Sequence, residues 1–300
     1  MAHKNLDANG MTEDAFLKSY DMSAFDRPSM TVDMLLFTIA SEEADNYRKL
    51  PEKQLRILLI KRKEHPFINT WALPGGFVRI DESLEAAAYR ELKEETGVDN
   101  AYLEQLYTSG EVHRDPRGRI ISTAYMSLVD VNEVVPKAGS DASEAAWFDV
   151  TYTLRREERD MGDNGFVEKR YFDITLFHEG TSLKVTVLTS RQVEGRHVKY
   201  SRELISSDGL AFDHGVILQY GIESLRKRLE TSELIFHLMP ECFTLTELQK
   251  AFEVILGREL LKANFRRKIG KFVKETGKTR ADAGHRPSKL FAFNPRWYDV

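Results

Sequence analysis

Apolar residues recur along the first half of the chain as short runs that have the length of a strand and alternate partly with polar residues. Runs of this kind are typical of strands with at least one buried face. We therefore predict that they form one mixed sheet. The expected strands are residues 30–40, 55–63, 101–109 and 122–131.

Two segments have the period of a helix instead. The first covers residues 83–96 and is followed by Gly97, a residue that commonly ends helices. The second covers residues 213–230, and Asp213 is available as its N-cap. Strands interspersed with such helices predict a sheet with helices packed on it.

Residues 171–190 alternate on both sides of Glu179-Gly180, which predicts a hairpin with its turn at this dipeptide. The preceding residues 155–165 are polar and rich in turn formers, and we interpret them as an exposed loop. The loop and the hairpin together predict an insertion at about residues 155–205.

A different pattern begins near residue 244. Thr244 and Glu247 have the spacing of a capping box, and the helix that they open is expected to end at Gly257. The apolar stripe of this helix consists of Leu248, Phe252 and Ile255.

A second amphipathic helix is predicted after Gly257, and basic residues lie on its polar faces. Its apolar face consists of Leu261, Phe265, Ile269 and Phe272. Turn residues and a short apolar strand at 290–293 follow. Helix, turn, helix and basic hairpin is the order of elements in a winged helix.

The chain has 300 residues, which is enough for about two domains with cores of their own. It contains no apolar run of the length that spans a membrane, and its N-terminus lacks the apolar segment of a signal peptide. We therefore expect a cytoplasmic protein without a membrane partner. Its single cysteine, Cys242, excludes an internal disulfide.

Charge is distributed unevenly between the two ends of the chain. The formal net charge is −4, but residues 241–300 contain 13 Lys and Arg against 7 Asp and Glu and so carry +6. Residues 1–240 therefore carry −10. The C-terminal part is suited to a polyanion, whereas the acidic part has to use its charge locally or with bound cations.

The stretch RELKEETG at 90–97 places three carboxylates where an ordinary helix would avoid them. At about 100° per residue, Glu91, Glu94 and Glu95 fall within one arc of about 100°, on the side of the apolar residues of the preceding turns. They repel one another and oppose the helix dipole. A bound cation would compensate, and hard oxygen ligands favour Mg²⁺ or Mn²⁺.

Immediately before this helix, Pro74, Gly75 and Gly76 predict a tight turn whose backbone can approach a metal or a phosphate. From Gly76 to Val98 the chain matches, without departure, the pattern G-x5-E-x7-R-E-U-x-E-E-x-G-U, in which U is aliphatic. This stretch resembles the signature of the Nudix hydrolases.

The resemblance implies an α+β fold, an α/β/α sandwich with a mixed sheet, in which the turn and the helix hold divalent metals against a diphosphate. It further implies that Glu91, Glu94 and Glu95 are catalytic and bind the metal. Gly76 would present its backbone to the same metal. Such acids are needed because the metals polarise a phosphoryl oxygen and activate water.

The resemblance also assigns supporting roles. Arg90 would act in the catalytic site by pairing with a glutamate and fixing its rotamer. Glu82 would support the site, and the alternative is that it stabilises the N-terminus of the helix.

Residues 113–126 resemble the segment that precedes a central strand in Nudix proteins of the ADP-ribose type. Its three arginines, Arg114, Arg117 and Arg119, are candidate substrate-binding contacts to phosphate or ribose. The alternative is that they belong to a charged turn, since the segment contains the turn-forming sequence DPRG.

With its basic tail included, the chain resembles the Nudix-related transcriptional regulators of bacterial NAD and sugar metabolism, in which a winged helix binds operator DNA and ADP-ribose is the signal. This resemblance implies double-stranded DNA and ADP-ribose as partners, and a homodimer. The DNA-binding residues would be Asn264, Arg266, Arg267 and Lys268 in the recognition helix and Arg280 and Arg286 in the wing. The alternative is a basic domain used for dimerisation or packing.

The expected organisation is an N-terminal tail (1–29), a Nudix domain (30–230) and a winged-helix domain (231–300). Two functions remain open. In the first, the protein hydrolyses ADP-ribose or a related nucleoside diphosphate to AMP and ribose 5-phosphate with Mg²⁺ or Mn²⁺. In the second, it is a transcriptional regulator whose Nudix domain senses ADP-ribose with little or no hydrolysis. The intact signature favours retained hydrolysis.

Overall fold

The computed structural model describes residues 6–41, 52–98, 101–134, 136, 142–229, 231–280 and 287–299. Within these ranges, no helix combines the length and the apolar character needed to cross a membrane. Among the predicted site residues, Arg286 lies outside the described part of the chain.

Ten strands of the described chain form one sheet. They are β1 (Ser29–Ser41), β2 (Lys53–Arg62), β3 (Trp71–Ala72), β4 (Gly75–Phe77), β5 (Tyr102–Ser109), β6 (Ile120–Leu128), β7 (Ala142–Gly162), β8 (Gly165–His178), β9 (Thr181–Glu194) and β10 (His197–Asp208). The order is β10-β9-β8-β7-β2-β1-β6-β5, with β3 beside β2 and β4 beside β1. Among the described strands of this sheet, only β1 and β6 pair in parallel. The mixed sheet and its four predicted strands (β1, β2, β5 and β6) are confirmed.

Five α-helices lie in the described residues. They are α1 (Glu13–Ser19), α2 (Leu84–Thr96), α3 (His214–Leu229), α4 (Leu245–Leu256) and α5 (Lys262–Ile269). The predicted helix at 83–96 is confirmed as α2, which Ser83 caps through its hydroxyl and Gly97 ends with a φ of 75°. The predicted helix at 213–230 is confirmed as α3.

The core lies on both faces of the sheet, and the alternation of β1 explains why. Val32 and Met34 pack with Ala88 and Leu92 of α2 on one face. Leu35, Phe37 and Ile39 of β1 belong to a second cluster on the opposite face, which includes residues of α3, α4 and α5. A strand that is buried on both faces has a nearly continuous apolar sequence. The predicted α/β/α arrangement is confirmed.

The prediction of an exposed loop at residues 155–165 is wrong. β7 continues to Gly162 and pairs with β8 from Gly165 onwards, so the connection is a two-residue turn. The polar residues suit a strand here because they pair across the ladder. Arg170 Nε lies 2.9 Å from Glu157 Oε2.

The hairpin predicted over residues 171–190 is confirmed as the β8–β9 connection. Glu179 and Gly180 form its turn with φ values of 42° and 84°. Positive φ at both turn residues is the geometry that matches the twist of a two-residue hairpin.

The C-terminal elements form the predicted winged helix. Thr244 and Glu247 make both hydrogen bonds of a capping box at the start of α4, and Gly257 ends that helix with a φ of 68°. The wing consists of β11 (Val273–Arg280) and β12 (Ser288–Phe293). Its second strand is held to the start of α4 by backbone hydrogen bonds between Phe243 and Phe291.

The apolar face predicted for the second helix of this domain is shorter than expected. Leu261 is 75% exposed because α5 begins only at Lys262. Phe265, Ile269 and Phe272 are buried as predicted, the last of them in a short 3-10 helix that follows α5. The chain then turns into the wing.

Candidate functional site

A turn and a helix meet at Gly76 and Glu91. A Cβ atom built on Gly76 would lie 2.2 Å from Glu91 Oε1, and one on Gly75 would lie 2.1 Å from the Val32 carbonyl oxygen. Side chains other than hydrogen are therefore excluded from both positions unless neighbouring groups move. The glycines allow the backbone between β3 and α2 to lie directly against a carboxylate.

Arg90 is the centre of a charged cluster beside this turn. Its Nε and Nη2 donate to the two carboxylate oxygens of Glu82 at 3.1 and 2.7 Å. Its Nη1 donates to Glu91 Oε1 at 2.5 Å, and Nη2 also reaches the Phe77 carbonyl at 3.1 Å. One guanidinium therefore fixes two glutamates and the strand β4.

The charges of this cluster stabilise one another. Hydrogen bonds from Arg90, and next the one from the Arg79 backbone N–H, lower the pKa of Glu82 to about 2. The pKa of Arg90 is raised, mainly by its hydrogen bonds to Glu82. The pair is therefore ionised throughout the physiological pH range.

The three predicted catalytic glutamates do not share one environment. Glu91 and Glu95 are 6% and 3% exposed, as the continuation of the apolar stripe predicts. The side chain of Glu94 is 49% exposed and lies within 4 Å of Arg79 and Arg90. Two carboxylates are thus buried, and the third is half-exposed to solvent.

The oxygen donors beside the turn are of the kind that a divalent ion requires. In the described ranges, no group of three or more His, Cys, Asp or Glu side chains is assembled for a metal. Magnesium, however, is commonly held by one or two carboxylates together with water and substrate phosphate oxygens. The oxygen donors of Glu91, Glu94, Glu95 and the Gly76 backbone fit such an ion by type.

A cleft of about 270 Å³ opens beside the turn. Gly75, Gly76 and Phe77 line one part of it, and Arg114 and His214 line another. The cleft therefore joins the Nudix signature to residues that are distant from it in the chain.

Arg114, a predicted substrate contact, is buried in this cleft between two carboxylates. Its Nη2 lies 2.6 Å from Asp213 Oδ1 and 3.3 Å from Asp33 Oδ2. Burial alone would raise the pKa of Asp213, but the hydrogen bonds and charge of Arg114 outweigh it and hold that pKa below its ordinary value. The positive charge of Arg114 is thus neutralised within the protein, and its side chain anchors the start of α3.

His214, the first residue of α3, holds the turn from the other side. Its Nδ1 accepts a hydrogen bond from the Leu73 N–H at 2.9 Å, and its Nε2 lies 3.5 Å from Asp33 Oδ1. Burial lowers the pKa of His214, and the opposing effect of Asp33 is smaller. A neutral imidazole with its proton on Nε2 satisfies both contacts.

The other two predicted substrate contacts differ in position. Arg117 lines the cleft, where its Nη2 lies 2.8 Å from Asp115 Oδ2. Arg119 donates to the carbonyls of Gly110 and Glu111 at 2.7 and 3.2 Å and so holds the loop that carries the other two arginines.

Sequence reasoning missed three residues of this site. Asp33, Asp213 and His214 link β1, the 110–119 loop and α3 around Arg114. One signal was present, because Asp33 is an ionisable residue within an otherwise apolar strand, where a charge needs a partner.

The predicted DNA-binding residues of α5 lie together on its surface. Phe265 and Ile269 face the core, and the polar residues are exposed. The exposed set consists of Asn264, Arg266, Arg267 and Lys268. In the wing, Arg280 lies at the end of β11 and its Nη2 is 2.5 Å from Glu247 Oε1, so it supports the capping box of α4.

Comparison with known proteins matches both halves of the chain. The NUDIX domain model matches residues 49–168, and the model of the NrtR DNA-binding winged helix domain matches residues 235–293. The ADPR responsive transcriptional repressor NtrR of Acinetobacter baylyi is 32% identical over 299 residues, covering 98% of this chain and 94% of that protein.

Two further proteins are similar to this chain, one over a third of its length and one over most of its structure. The ADP-ribose pyrophosphatase of Methanocaldococcus jannaschii is 48% identical over 99 residues, which cover 33% of this chain and 57% of that protein. The crystal structure of Shewanella oneidensis NrtR complexed with a 27mer DNA has a TM-score of 0.58 and 27% identity, covering 90% of this chain and 96% of that chain. With its intact signature and its winged helix, this chain belongs to the family of Nudix-related transcriptional regulators of the NrtR type.

Proposed function

We propose that this protein hydrolyses ADP-ribose, or a related nucleoside diphosphate, to AMP and ribose 5-phosphate, and that it binds double-stranded DNA through its winged helix. The Nudix domain would comprise residues 30–230 and the winged-helix domain residues 231–300. A homodimer in the cytoplasm is the expected form.

The observation that carries the proposal is the contact between Gly76 and Glu91 in a complete Nudix signature. Arg90 holds the Glu91 carboxylate and Glu82 holds Arg90, so the acid is fixed before a ligand arrives. Fixed charges that require no reorganisation stabilise charge that develops on a reacting phosphate. An ordinary surface helix needs no such arrangement.

Nudix hydrolases use divalent metal ions, and we propose Mg²⁺ or Mn²⁺ for this chain. Glu91, Glu94 and Glu95 would hold the ion with the Gly76 backbone. When bound, the ion polarises a phosphoryl oxygen and lowers the pKa of water. The role of Arg90 and Glu82 is to keep the Glu91 side chain in one rotamer.

The hydrolytic part is tested by incubating the full-length protein with ADP-ribose and Mg²⁺ and measuring AMP. We expect AMP from the wild type and a rate at least about 100-fold lower in Glu94→Gln and Glu95→Gln, since placed metal ligands supply several kcal/mol to the transition state. Glu13→Gln, an exposed carboxylate on α1, is the matched control. Absence of AMP with the wild type would contradict hydrolysis.

A second candidate is a regulator whose Nudix domain senses ADP-ribose with little hydrolysis. One observation favours it: a relative that spans the whole chain is described as an ADPR responsive repressor. This candidate predicts that ADP-ribose changes DNA affinity even when no AMP is formed.

DNA binding is tested by gel shift with double-stranded oligonucleotides that the full-length protein selects from a random pool. The exposed cations of α5 support contacts to phosphates and bases. The double variant Arg266→Ala, Arg267→Ala should bind more weakly and with a smaller salt dependence than the wild type, because fewer counterions are released. Lys18→Ala on α1 is the control. Failure to select any sequence would contradict the regulatory part.

A further inference from the structure

A second cavity, of about 320 Å³, lies between the strands β7 to β10 and the helix α3. It has no lining residue in common with the cleft at Gly76. The charged side chains of its lining are five cations and two carboxylates: Arg159, Arg170, Arg191, Arg202, Lys227, Glu168 and Glu223. This cavity is therefore positively charged and separate from the candidate active site.

The strand register explains why these cations lie together. Glu168 on β8 is paired with Arg159 on β7 and with Arg191 on β9, and Arg191 is paired in turn with Tyr200 on β10. Residues that pair across a ladder project from the same face of the sheet. The next row on this face consists of Arg170, Thr189 and Arg202. The strands thus present two adjacent rows of polar side chains to α3.

Two of the five cations are balanced by acids. Arg159 donates a hydrogen bond to Glu168 Oε1. Arg170 lies between two carboxylates, with its Nε 2.9 Å from Glu157 Oε2 and its Nη2 3.5 Å from Glu168 Oε2. The Nε–H of Arg170 is not aligned with either acid, and it is shielded from solvent without a hydrogen-bond acceptor among the described residues. A buried donor without an acceptor is costly, and a ligand in the cavity can supply the acceptor.

The other three cations, Arg191, Arg202 and Lys227, form no ion pair within 4 Å in the part of the chain that the structure describes. Arg202 is nevertheless half-buried and fixed. Its Nε donates to Gln219 Oε1 at 3.0 Å, and its Cζ lies 4.5 Å from the centroid of the Tyr220 ring. A neutral amide and an aromatic ring hold the guanidinium without neutralising its charge.

The acid on the α3 side of the cavity is Glu223, and it is already engaged. Its Oε1 accepts a hydrogen bond from the Tyr152 hydroxyl at 2.6 Å, and that hydroxyl accepts one from Gln219 Nε2 at 3.0 Å. Three cations without an ion pair therefore face one carboxylate across this cavity. A partly desolvated cation without a counter-charge is unfavourable, so this excess of positive charge favours an anionic ligand.

We propose that this cavity binds a phosphate dianion, either free phosphate or the terminal phosphate group of a small metabolite. Arg191, Arg202 and Lys227 bind the phosphate oxygens, and Arg170 Nε donates a further hydrogen bond. The volume of the cavity is that of a small-molecule site and excludes a DNA duplex. Because the site is separate from the cleft, it does not depend on hydrolysis of ADP-ribose.

The test is isothermal titration of the full-length protein in EDTA, with inorganic phosphate and ribose 5-phosphate as the two probes. Without divalent metal, the glutamates of α2 do not hold a metal-bound phosphate. The test variant is Arg191→Gln, Arg202→Gln.

The matched control, Arg155→Gln, Lys199→Gln, removes two cations from the opposite face of the same strands. Arg155 Nη1 lies 3.5 Å from Asp173 Oδ1, and Lys199 pairs with Gln192, so both positions alternate with the residues that line the cavity.

We expect the wild type and the control to bind at least one probe with saturation at one site. The double variant should bind it about ten-fold or more weakly, which is the effect of losing a charge-assisted hydrogen bond. Tighter binding of ribose 5-phosphate would assign the site to a phosphorylated metabolite, and equal affinities would assign it to free phosphate. Arg191→Gln alone, an exposed position, should weaken binding about five-fold and keeps the test decisive if the double variant does not fold.

Two results would overturn the proposal. The first is a wild type that binds neither probe, and if the double variant then also bound DNA more weakly, these cations would be contacts to DNA. The second is a double variant that binds the probes as tightly as the wild type, which would place the bound phosphate elsewhere.

Discussion

The Gly76 α-carbon lies so close to Glu91 that a methyl group at position 76 would stand 2.2 Å from the carboxylate oxygen Oε1. Gly76→Ala therefore has to displace either the turn or the Glu91 side chain. We expect the rate of ADP-ribose hydrolysis to fall by about 100-fold, because a displacement of about 1 Å in a catalytic group can have that effect.

The matched control for this prediction is Gly110→Ala. A Cβ on Gly110 meets no atom within 4 Å, so activity should be retained. Thermal unfolding of both variants separates a local displacement from loss of the fold. If Gly76→Ala remained fully active, the contact with Glu91 would have no part in the reaction.

Arg90→Lys tests whether the planar guanidinium matters beyond its charge. Arg90 donates through two nitrogens to Glu82 and through a third to Glu91, a pattern that a lysine ammonium does not reproduce. We expect roughly 10- to 100-fold lower activity or metal affinity, the usual range for residues that orient metal ligands. Calorimetric titration with Mn²⁺ and the AMP assay measure the two quantities, and an unchanged value in both would contradict an orienting role.

The low pKa of Glu82 predicts a pH dependence of stability. Because the pKa is about 2 in the folded protein and near 4.5 when unperturbed, Glu82 stabilises the fold above about pH 4.5 and loses this contribution as the pH falls towards 2. The difference in unfolding free energy between wild type and Glu82→Gln should therefore shrink from pH 6 to pH 3. Denaturant unfolding at several pH values measures it, and a constant difference would show that the Arg90 pair does not contribute.

Whether a residue of the site could be predicted depends on how far apart in the sequence the contacting residues are. The glutamates of α2 were found because helix geometry places residues three and four apart on one side, so a local spacing contains the information. The cluster around Arg114 was missed because its contacts span 81 residues to Asp33 and 99 residues to Asp213. Only the parallel pairing of β1 with β6 and the packing of α3 bring these segments together.

The misassigned loop at 155–165 has a related cause. A strand with polar residues on both faces lacks the alternation that indicates a strand. Its ion pairs, such as Arg170 with Glu157, depend on a register that the local sequence does not specify.

Arg226 connects the cleft helix to the winged helix. Its Nε donates to the Ile255 carbonyl at 2.7 Å, one of the last carbonyls of α4, which lack partners within the helix. Arg226→Ala would leave this carbonyl without its charged donor, and we expect a loss of about 1.5–3 kcal/mol of unfolding free energy. Lys227→Ala, an exposed neighbour on α3, should stay within about 0.5 kcal/mol of wild type.

The same variant tests how a ligand would act on DNA binding. α3 begins with His214 in the cleft and carries Arg226 to α4, which precedes the basic helix α5. If occupancy of the cleft is transmitted along α3, Arg226→Ala should bind ADP-ribose as the wild type does, while ADP-ribose changes its DNA affinity less. Titration gives the first quantity and gel shift with and without ADP-ribose the second. Coupling between two sites is measured as the change that one ligand causes in the affinity for the other. If ADP-ribose changed the DNA affinity of Arg226→Ala as much as that of the wild type, the contact between Arg226 and Ile255 would not transmit the effect of the ligand.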